Sequence, residues 1–390
     1  MLDFPRNPSG KETDIVEQME TMKITALLLK LSWPALAFVS CSLCASGHPL
    51  DTWHLRHSAS GDLNGVTFGG GLFVAVGSNG TVLTSVTGET WTSQDSGTNA
   101  TLYDVTYGNG TFVAVGDSGL ILASPDGTDW AAQPSGVLSR LLSVTHEKGV
   151  FVTAGESGAL LASADGHAWA SRSPGAPFSP WFIANGNGLF LLESVPGINL
   201  LSTDGTHWFS RPSGSDTGLY TVGFGRGLFV SIDIRNDVFL SSDGSNWVAG
   251  GEVTLHRPSR IAYGSGHFLT GGGGSLEYSP NGTRWTVSPT GDYSITREVA
   301  FGDGTFVAVG SGQTIQQSDP VVWLQTPEAG RLDIWGPRGV VCSIESRDAM
   351  VTGTGWMTLT NLTIMSTPHQ WTDPQRLEHA SRLYRVGLTQ

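Results

Sequence analysis

Seven residues place charged and aromatic side chains in the connections between short strand-forming segments. They form the candidate binding set: Tyr103, Arg140, Trp181, Tyr220, Arg260, Arg297 and Glu298. Aromatic rings cover sugar faces or apolar side chains, whereas guanidinium and carboxylate groups fix the orientation of a ligand. The set therefore indicates recognition of a protein or a glycan. Each arginine could instead pair with a nearby carboxylate, and each ring could simply pack at the end of a strand.

Local motifs for metal or cofactor chemistry are not found in the sequence. The ten histidines never occur with the one-residue or three-residue separation that would direct two imidazoles to one metal ion. No phosphate-binding loop, Ser-His-Asp order or Cys-His nucleophile signal rises above chance. We therefore predict no metal, no cofactor and no catalytic residue.

Tryptophan spacing determines which elements must position these residues. Eight tryptophans recur at intervals of 38 or 39 residues, at positions 53, 91, 130, 169, 208, 247, 285 and 323. Self-similarity at a period near 40 is typical of repeat architectures in which each unit forms one propeller blade. Seven intervals predict seven blades, with the segment around Trp53 joining the last blade. Six or eight blades remain alternatives.

One unit contains four short apolar or alternating segments, at 102–107, 111–115, 120–123 and 128–132. Glycine-rich turns such as Asn109-Gly110 and Asp126-Gly127 separate them and suit tight hairpins. The sequence thus predicts an all-β fold, a seven-bladed β-propeller of four-stranded antiparallel blades.

A second motif, Ser-x-Asp-Gly-x-x-Trp, recurs with the same period. The carboxylate can accept backbone N–H groups across the turn, glycine permits the backbone conformation, and the indole packs under the hairpin. We predict a structural role for its members: Ser124, Asp126, Gly127, Trp130, Ser163, Asp165, Gly166, Trp169, Ser202, Asp204, Gly205, Trp208, Ser241, Asp243, Gly244, Trp247, Ser279, Asn281, Gly282 and Trp285.

This motif resembles the Asp-box, or BNR repeat, of sialidase-like propellers. The pattern over residues 50–323 is most similar to exported propellers of the photosystem II assembly-factor type. That resemblance implies a binding role without catalysis. It also implies that ligands bind on the face formed by the outer-to-inner and second-to-third strand connections.

Sialidases also define an enzymatic alternative. Such an enzyme clamps a carboxylate with three arginines and uses a tyrosine activated by a glutamate, as an oxocarbenium-like transition state requires. Arg140, Arg260 and Arg297 could be assigned to the clamp, with Tyr220 and either Glu156 or Glu298 as the nucleophile pair. A glycoside hydrolase or lyase acting on polysaccharides is therefore the alternative to a binding scaffold.

The N-terminal 47 residues read as an export signal with an overlong start. Lys23 and Lys30 precede an apolar run, Leu31–Cys41, and small residues Ala45–Gly47 follow it. We expect a secreted protein, or one in the periplasm or at the cell surface, with no transmembrane segment in the mature chain. Lipoprotein anchoring at Cys41 is an alternative.

Three domains are predicted: 1–47 as signal, 48–327 as propeller, and 328–390 as a small β-sandwich-like module that follows the end of the repeat. The formal charge of −13 disfavours nucleic acid as a partner. We expect a secreted, monomeric scaffold that binds protein or glycan.

Overall fold

The computed structural model describes residues 48–173, 182–195, 198–213, 218–255, 258–288, 295–328, 331–336, 339–348, 356–365, 369–374 and 382–388. The predicted signal, Cys41 and Trp181 lie outside these residues. Among the residues described, no helix is long and apolar enough to cross a membrane.

Seven four-stranded antiparallel sheets form the bulk of the chain, as the tryptophan spacing predicted. Each sheet has an inner, a second, a third and an outer strand. The inner strands are β2 (Leu63–Gly69), β6 (Leu102–Gly108), β10 (Leu141–Glu147), β14 (Ile183–Gly186), β18 (Thr221–Gly225), β22 (Ala262–Gly264) and β26 (Thr296–Gly302). The second strands are β3 (Leu72–Gly77), β7 (Thr111–Gly116), β11 (Val150–Gly155), β15 (Leu189–Val195), β19 (Leu228–Ile232), β23 (His267–Gly271) and β27 (Thr305–Gly310).

The third strands are β4 (Val82–Ser85), β8 (Ile121–Ser124), β12 (Ala159–Ser163), β16 (Ile198–Ser202), β20 (Asp237–Ser241), β24 (Leu276–Ser279) and β28 (Ile315–Ser318). The outer strands are β5 (Thr92–Gln94), β9 (Ala131–Gln133), β13 (Ala170–Ser171), β17 (Phe209–Pro212), β21 (Val248–Glu252), β25 (Thr286–Ser288) and β1 (Trp53–His57). Blade 1 contains β2 to β5, and the following blades continue along the chain. Blade 7 combines β26, β27 and β28 with β1.

Inner strands of neighbouring blades contact one another around the whole ring, including β2 with β26. A phenylalanine at the second position of each second strand is almost fully buried between blades: Phe73, Phe112, Phe151, Phe190, Phe229, Phe268 and Phe306. Burying such a ring contributes roughly 1.5–3 kcal/mol relative to exposure. The ring is therefore held by repeated apolar seams.

The N-terminal segment closes the ring. Strand β1 pairs antiparallel with β28, with Trp53 opposite Ser318 and His57 opposite Ile315. The Trp53 indole nitrogen donates to the Leu50 carbonyl and to Ser288 in blade 6, both at 2.9 Å. Leu50 is fully buried between blades 6 and 7. Closure through Trp53, predicted from the tryptophan intervals, is confirmed.

The Ser-Asp-Gly-Trp turns connect third and outer strands and share one hydrogen-bond pattern. In blade 2, Asp126 Oδ1 accepts the backbone N–H groups of Thr128 and Asp129 at 2.9 and 3.0 Å. The Trp130 indole donates to the Gly127 carbonyl at 2.9 Å. These bonds lower the pKa of Asp126 to about 2. Because the turn continues through residue 129, the outer strand begins after Trp130 rather than around it.

Glycine in these turns touches the preceding blade. A Cβ on Gly127 would lie 2.8 Å from Leu72 of blade 1, and one on Gly205 would lie 2.7 Å from Val152 of blade 3. Gly88 of blade 1 meets Gln317 and Val307 of blade 7 in the same way. The turns thus join neighbouring blades as well as strands.

The C-terminal part contains two three-stranded sheets. One consists of β29 (Trp323–Glu328), β30 (Arg331–Trp335) and β33 (His369–Thr372), and the other of β31 (Val341–Asp348), β32 (Met357–Thr363) and β34 (Arg382–Leu388). Leu332, Ile344 and the free thiol of Cys342 lie in one buried cluster. Strand β29 begins at Trp323 and pairs with β30 of the C-terminal part. The C-terminal sheets therefore begin a few residues before position 327, the predicted end of the propeller.

We expect Asp165→Ala to lower the free energy of unfolding by about 1 kcal/mol, because Asp165 Oδ1 accepts two backbone N–H groups at 2.8 and 2.9 Å. Asp165→Asn should be nearly neutral, since Asn281 makes the equivalent bonds. Denaturant unfolding measures both. Equal losses in the two variants would contradict this account of the turn.

Acid should weaken the ring closure. His48 stacks on Tyr278 with ring centroids 4.6 Å apart and caps the 3-10 turn Pro49–Asp51. Burial, with His267 nearby and Asp51 opposing, lowers the pKa of His48 to about 4. A folded-state pKa below the unfolded value of 6.5 means that the stabilisation is complete above 6.5 and is lost as pH falls toward 4.

We therefore expect the free energy of unfolding to fall across this range in the native chain and to fall less steeply in His48→Phe. Urea titrations at several pH values measure it. His167→Phe, in an exposed turn, is the control. The same pH dependence of the free energy of unfolding in His48→Phe as in the native chain would contradict the prediction.

Candidate functional site

The inner strands surround a central channel. Seven equivalent positions near the start of these strands form one row around it, defined here as the channel row: Gly65, Asp104, Ser143, Phe182, Thr221, Arg260 and Glu298. They recur every 38 or 39 residues. Strand register supports the equivalence, because Asp104, Ser143 and Glu298 face Val115, Ala154 and Val309 of their second strands. The row lies near the end of the inner strands where the chain enters each blade.

Arg260 crosses the channel and joins four blades. Its Nη2 lies 2.6 Å from Asp104 Oδ2 in blade 2 and 2.8 Å from Ser143 Oγ in blade 3. Its Nε lies 3.2 Å from Glu298 Oε1 in blade 7. A guanidinium has five donors in a planar fork, so one side chain can bind carboxylates from two different blades.

Backbone amides complete this network. Asp104 accepts the N–H of Val144 at 2.7 Å, and Glu298 accepts the N–H of Val66 at 3.1 Å. Gly65 leaves the space that the network needs, because a Cβ there would lie 2.9 Å from the Asp104 Cα. The inner strands of five blades are therefore fixed relative to one another by one set of polar contacts.

Charge in this network is unbalanced, since two buried carboxylates share one guanidinium. Burial raises the pKa of Glu298; Arg260 opposes this shift, and the neighbouring Asp104 adds to it. Glycosidases hold two carboxyl groups on either side of a scissile bond. In this channel Asp104 and Glu298 instead both bind the guanidinium of Arg260.

A second cluster lies on the loop face, the end of the ring formed by the outer-to-inner and second-to-third connections. Tyr103 donates to Asp117 at 2.9 Å, and Arg140 lies 3.1 Å from Asp117 and 3.4 Å from Glu156. Partial burial and the hydrogen bond to Asp117 raise the pKa of Tyr103, which keeps the phenol protonated. The cluster brings Tyr103 and Arg140 together as a half-exposed surface.

The remaining predicted residues are separate. Arg297 pairs with Asp62 at 2.7 Å, and both side chains are partly exposed. Tyr220 is exposed at the entry to β18. The three arginines therefore bind different carboxylates, and the clamp required by the enzymatic alternative is not formed by Arg140, Arg260 and Arg297.

The loop face also exposes apolar side chains that the sequence analysis missed. Leu138 is 89% exposed between β9 and β10, and Ile234 is 64% exposed between β19 and β20. Ile198 and Ile295 are exposed at the same end of blades 4 and 7. Four aliphatic side chains on blades 3, 4, 5 and 7 are therefore exposed at the loop face.

Asp104 and Ser143 were also missed as partners of Arg260. Asp104 lies four repeat periods before Arg260 in the sequence. Comparing residues at the 38- or 39-residue spacing of the tryptophans places Asp104, Arg260 and Glu298 at equivalent positions. The signal was the period itself rather than any local motif.

Removing Arg260 should leave two buried carboxylates without a counter-charge. We expect Arg260→Met to lower the free energy of unfolding by about 3 kcal/mol near neutral pH, because breaking a buried ion pair leaves the other charge uncompensated. The loss should shrink in acid as the carboxylates take up protons. Denaturant unfolding at two pH values measures this.

Arg297→Met is the matched control, because an exposed pair such as Arg297 with Asp62 contributes about 1 kcal/mol or less. A small, pH-independent loss in Arg260→Met would contradict the described network.

Comparison with known proteins supports the propeller fold. The sequence profile of a family described as "DUF6242 beta propeller domain" matches residues 50–181, which include β1 and blades 1 to 3. A search of curated proteins found no match.

Several solved structures share the architecture at low sequence identity. YCF48 bound to D1 peptide has a TM-score of 0.58 and 17% identity, covering 74% of this chain and 99% of that one. YCF48 from Cyanidioschyzon merolae has a TM-score of 0.56 and 15% identity, covering 68% and 98%. A catalytically inactive virginiamycin B lyase from Staphylococcus aureus with quinupristin has a TM-score of 0.61 and 11% identity, covering 69% and 100%. At these identities the matches show a shared fold.

Proposed function

We propose that this chain is a non-enzymatic binding scaffold whose loop face holds a polypeptide. The observation that carries the proposal is the set of aliphatic residues exposed on that face at blades 3, 4, 5 and 7, Leu138, Ile198, Ile234 and Ile295, together with the Tyr103–Asp117–Arg140 cluster. Aliphatic side chains contact apolar residues of a protein, whereas sugar-binding sites use aromatic faces. A protein partner is therefore favoured over a glycan.

Two further points support the proposal. YCF48, a propeller of similar fold, has been solved with a D1 peptide, and a propeller of this kind changes its connections without disturbing its blades. Tyr103, Arg140 and Arg297 supply directed hydrogen bonds around the apolar residues. The apolar run Leu31–Cys41 supports export, so the proposed site of action is outside the cytoplasm.

The test is selection of peptides from a displayed random library with the full chain, followed by measurement of Kd. We expect Leu138→Asp combined with Ile234→Asp to weaken binding by about tenfold or more, because each tenfold corresponds to about 1.4 kcal/mol of lost contact. Val248→Asp is the matched control, since Val248 is 63% exposed on the outer strand β21, away from the loop face.

Equal weakening by the control variant, or unchanged Kd in the double variant, would refute the assignment to the loop face. Preferential binding of glycans in a parallel array would show that the polypeptide is the wrong ligand class.

A further inference from the structure

A cavity of about 480 Å³ occupies the channel on the side of Arg260 away from the loop face. It begins at Arg260 and Glu298 in the channel row and extends along the inner strands to Glu147 and Asn187, where the inner strands turn into the second strands. Cavities of this size hold small molecules. The site is therefore separate from the proposed polypeptide surface.

The cavity lining has an excess of negative charge. Its ionisable side chains among the described residues are Arg260, Glu298 and Glu147. Arg260 is already bound to Asp104 and Glu298, so its charge is shared by two acids. The lining therefore has two carboxylates and one guanidinium, and the guanidinium also binds the carboxylate of Asp104. This excess of negative charge favours a cationic ligand over an anionic one.

Glu147 departs from the repeat. At its level the other six inner strands have glycine: Gly69, Gly108, Gly186, Gly225, Gly264 and Gly302. At five of these glycines a Cβ would lie within 2.4 Å of an aromatic ring from the next blade, as at Gly69 with Tyr107, and Gly108 meets the His146 ring in the same way. This contact holds six of the seven seams.

Between blades 3 and 4 both partners are replaced. Asn185 takes the place of the aromatic residue, and its amide donates to Glu147 Oε2 at 3.0 Å. The backbone N–H of Gly188 donates to Glu147 Oε1 at 2.9 Å. Packing alone would be satisfied by glycine and an aromatic ring, as in the other six seams. Glu147 and Asn185 instead place a hydrogen-bonded carboxylate at this end of the channel, which is suited to binding a ligand.

We propose that the channel binds a linear organic amine, with one ammonium group near Glu298 and a second near Glu147. The two residues are four strand positions apart along the axis, roughly 13 Å at about 3.3 Å per residue. Phe182 and Phe224 also line the cavity, and aromatic rings bind both alkyl chains and ammonium groups.

Acid–base behaviour supplies a signature. Burial raises the pKa of Glu298, whereas Arg260 opposes this shift and Asp104 adds to it. An ammonium group stabilises the ionised carboxylate and displaces the proton. Binding should therefore be accompanied by proton release and should strengthen as pH rises.

The test is isothermal titration calorimetry of the full chain with octamethylenediamine and with octamethylene glycol, its uncharged analogue. The diamine should bind and the diol should not. Glu298→Gln should weaken the diamine by about tenfold or more, as expected when one partner of an enclosed charge pair is removed, and should abolish proton release. Glu156→Gln, on the loop face, should change neither.

A second variant keeps the experiment decisive if Glu298→Gln folds poorly. Glu147→Gly with Asn185→Phe restores the pairing of the other six seams and should fold normally while losing at least about tenfold in affinity. Binding of diol and diamine alike, no binding of either, or full affinity in this repaired variant would overturn the proposal. Peptide binding on the loop face would be unaffected in each case, so the two proposals fail separately.

Discussion

Closure of seven sheets around one axis is the constraint on which the rest of this structure depends. Each inner strand contacts two neighbours, and the last blade is completed by β1 from the N-terminal end, which becomes the outer strand of the sheet built from β26, β27 and β28. Leu50 and Trp53 anchor that strand across blades 6 and 7. Both ends of the propeller thus lie in one sheet, so the blade cannot detach without unpairing β1.

A closed ring brings distant residues to equivalent positions, and this explains the polar network at its centre. Arg260 and Asp104 are 156 positions apart in the chain, yet the repeat places them in one row on opposite sides of the channel. Identical residues in all seven positions would give seven like charges or an apolar channel. Because one arginine serves two acids instead, the row closes the channel toward the loop face and keeps an excess negative charge beneath it.

Much of the fold could be predicted from the sequence because packing imposes a period that indole and glycine report directly. The tryptophan intervals gave the blade count and the closing role of Trp53, and the Asp-Gly turns located the hairpins. Trp323 fits the period yet begins β29 of the C-terminal sheets, because β1 already occupies the outer position of blade 7. Spacing alone cannot show which strand fills that position.

The candidate site was less predictable, since its contacts cross the axis. Arg260 and Glu298 were chosen for charge, but their shared partner Asp104 is visible only when residues are compared at one repeat position. Leu138 and Ile234 were not predicted, because the sequence does not show which aliphatic side chains in the connections are exposed. Glu147 and Asn185, which replace the glycine and aromatic ring of the other seams, are likewise visible only when equivalent positions of the repeat are compared. In a repeat protein, such departures from the shared packing indicate candidate binding residues.

The most direct test of ring closure is native-state hydrogen exchange of the backbone amides of β1 and β27. If β1 is an integral strand of blade 7, its paired amides should exchange with the same free energy of opening as those around Val307 in β27, near the global value. Exchange of β1 by local opening at a much lower free energy, with β27 still protected, would contradict the account and show that the ring holds without its N-terminal strand.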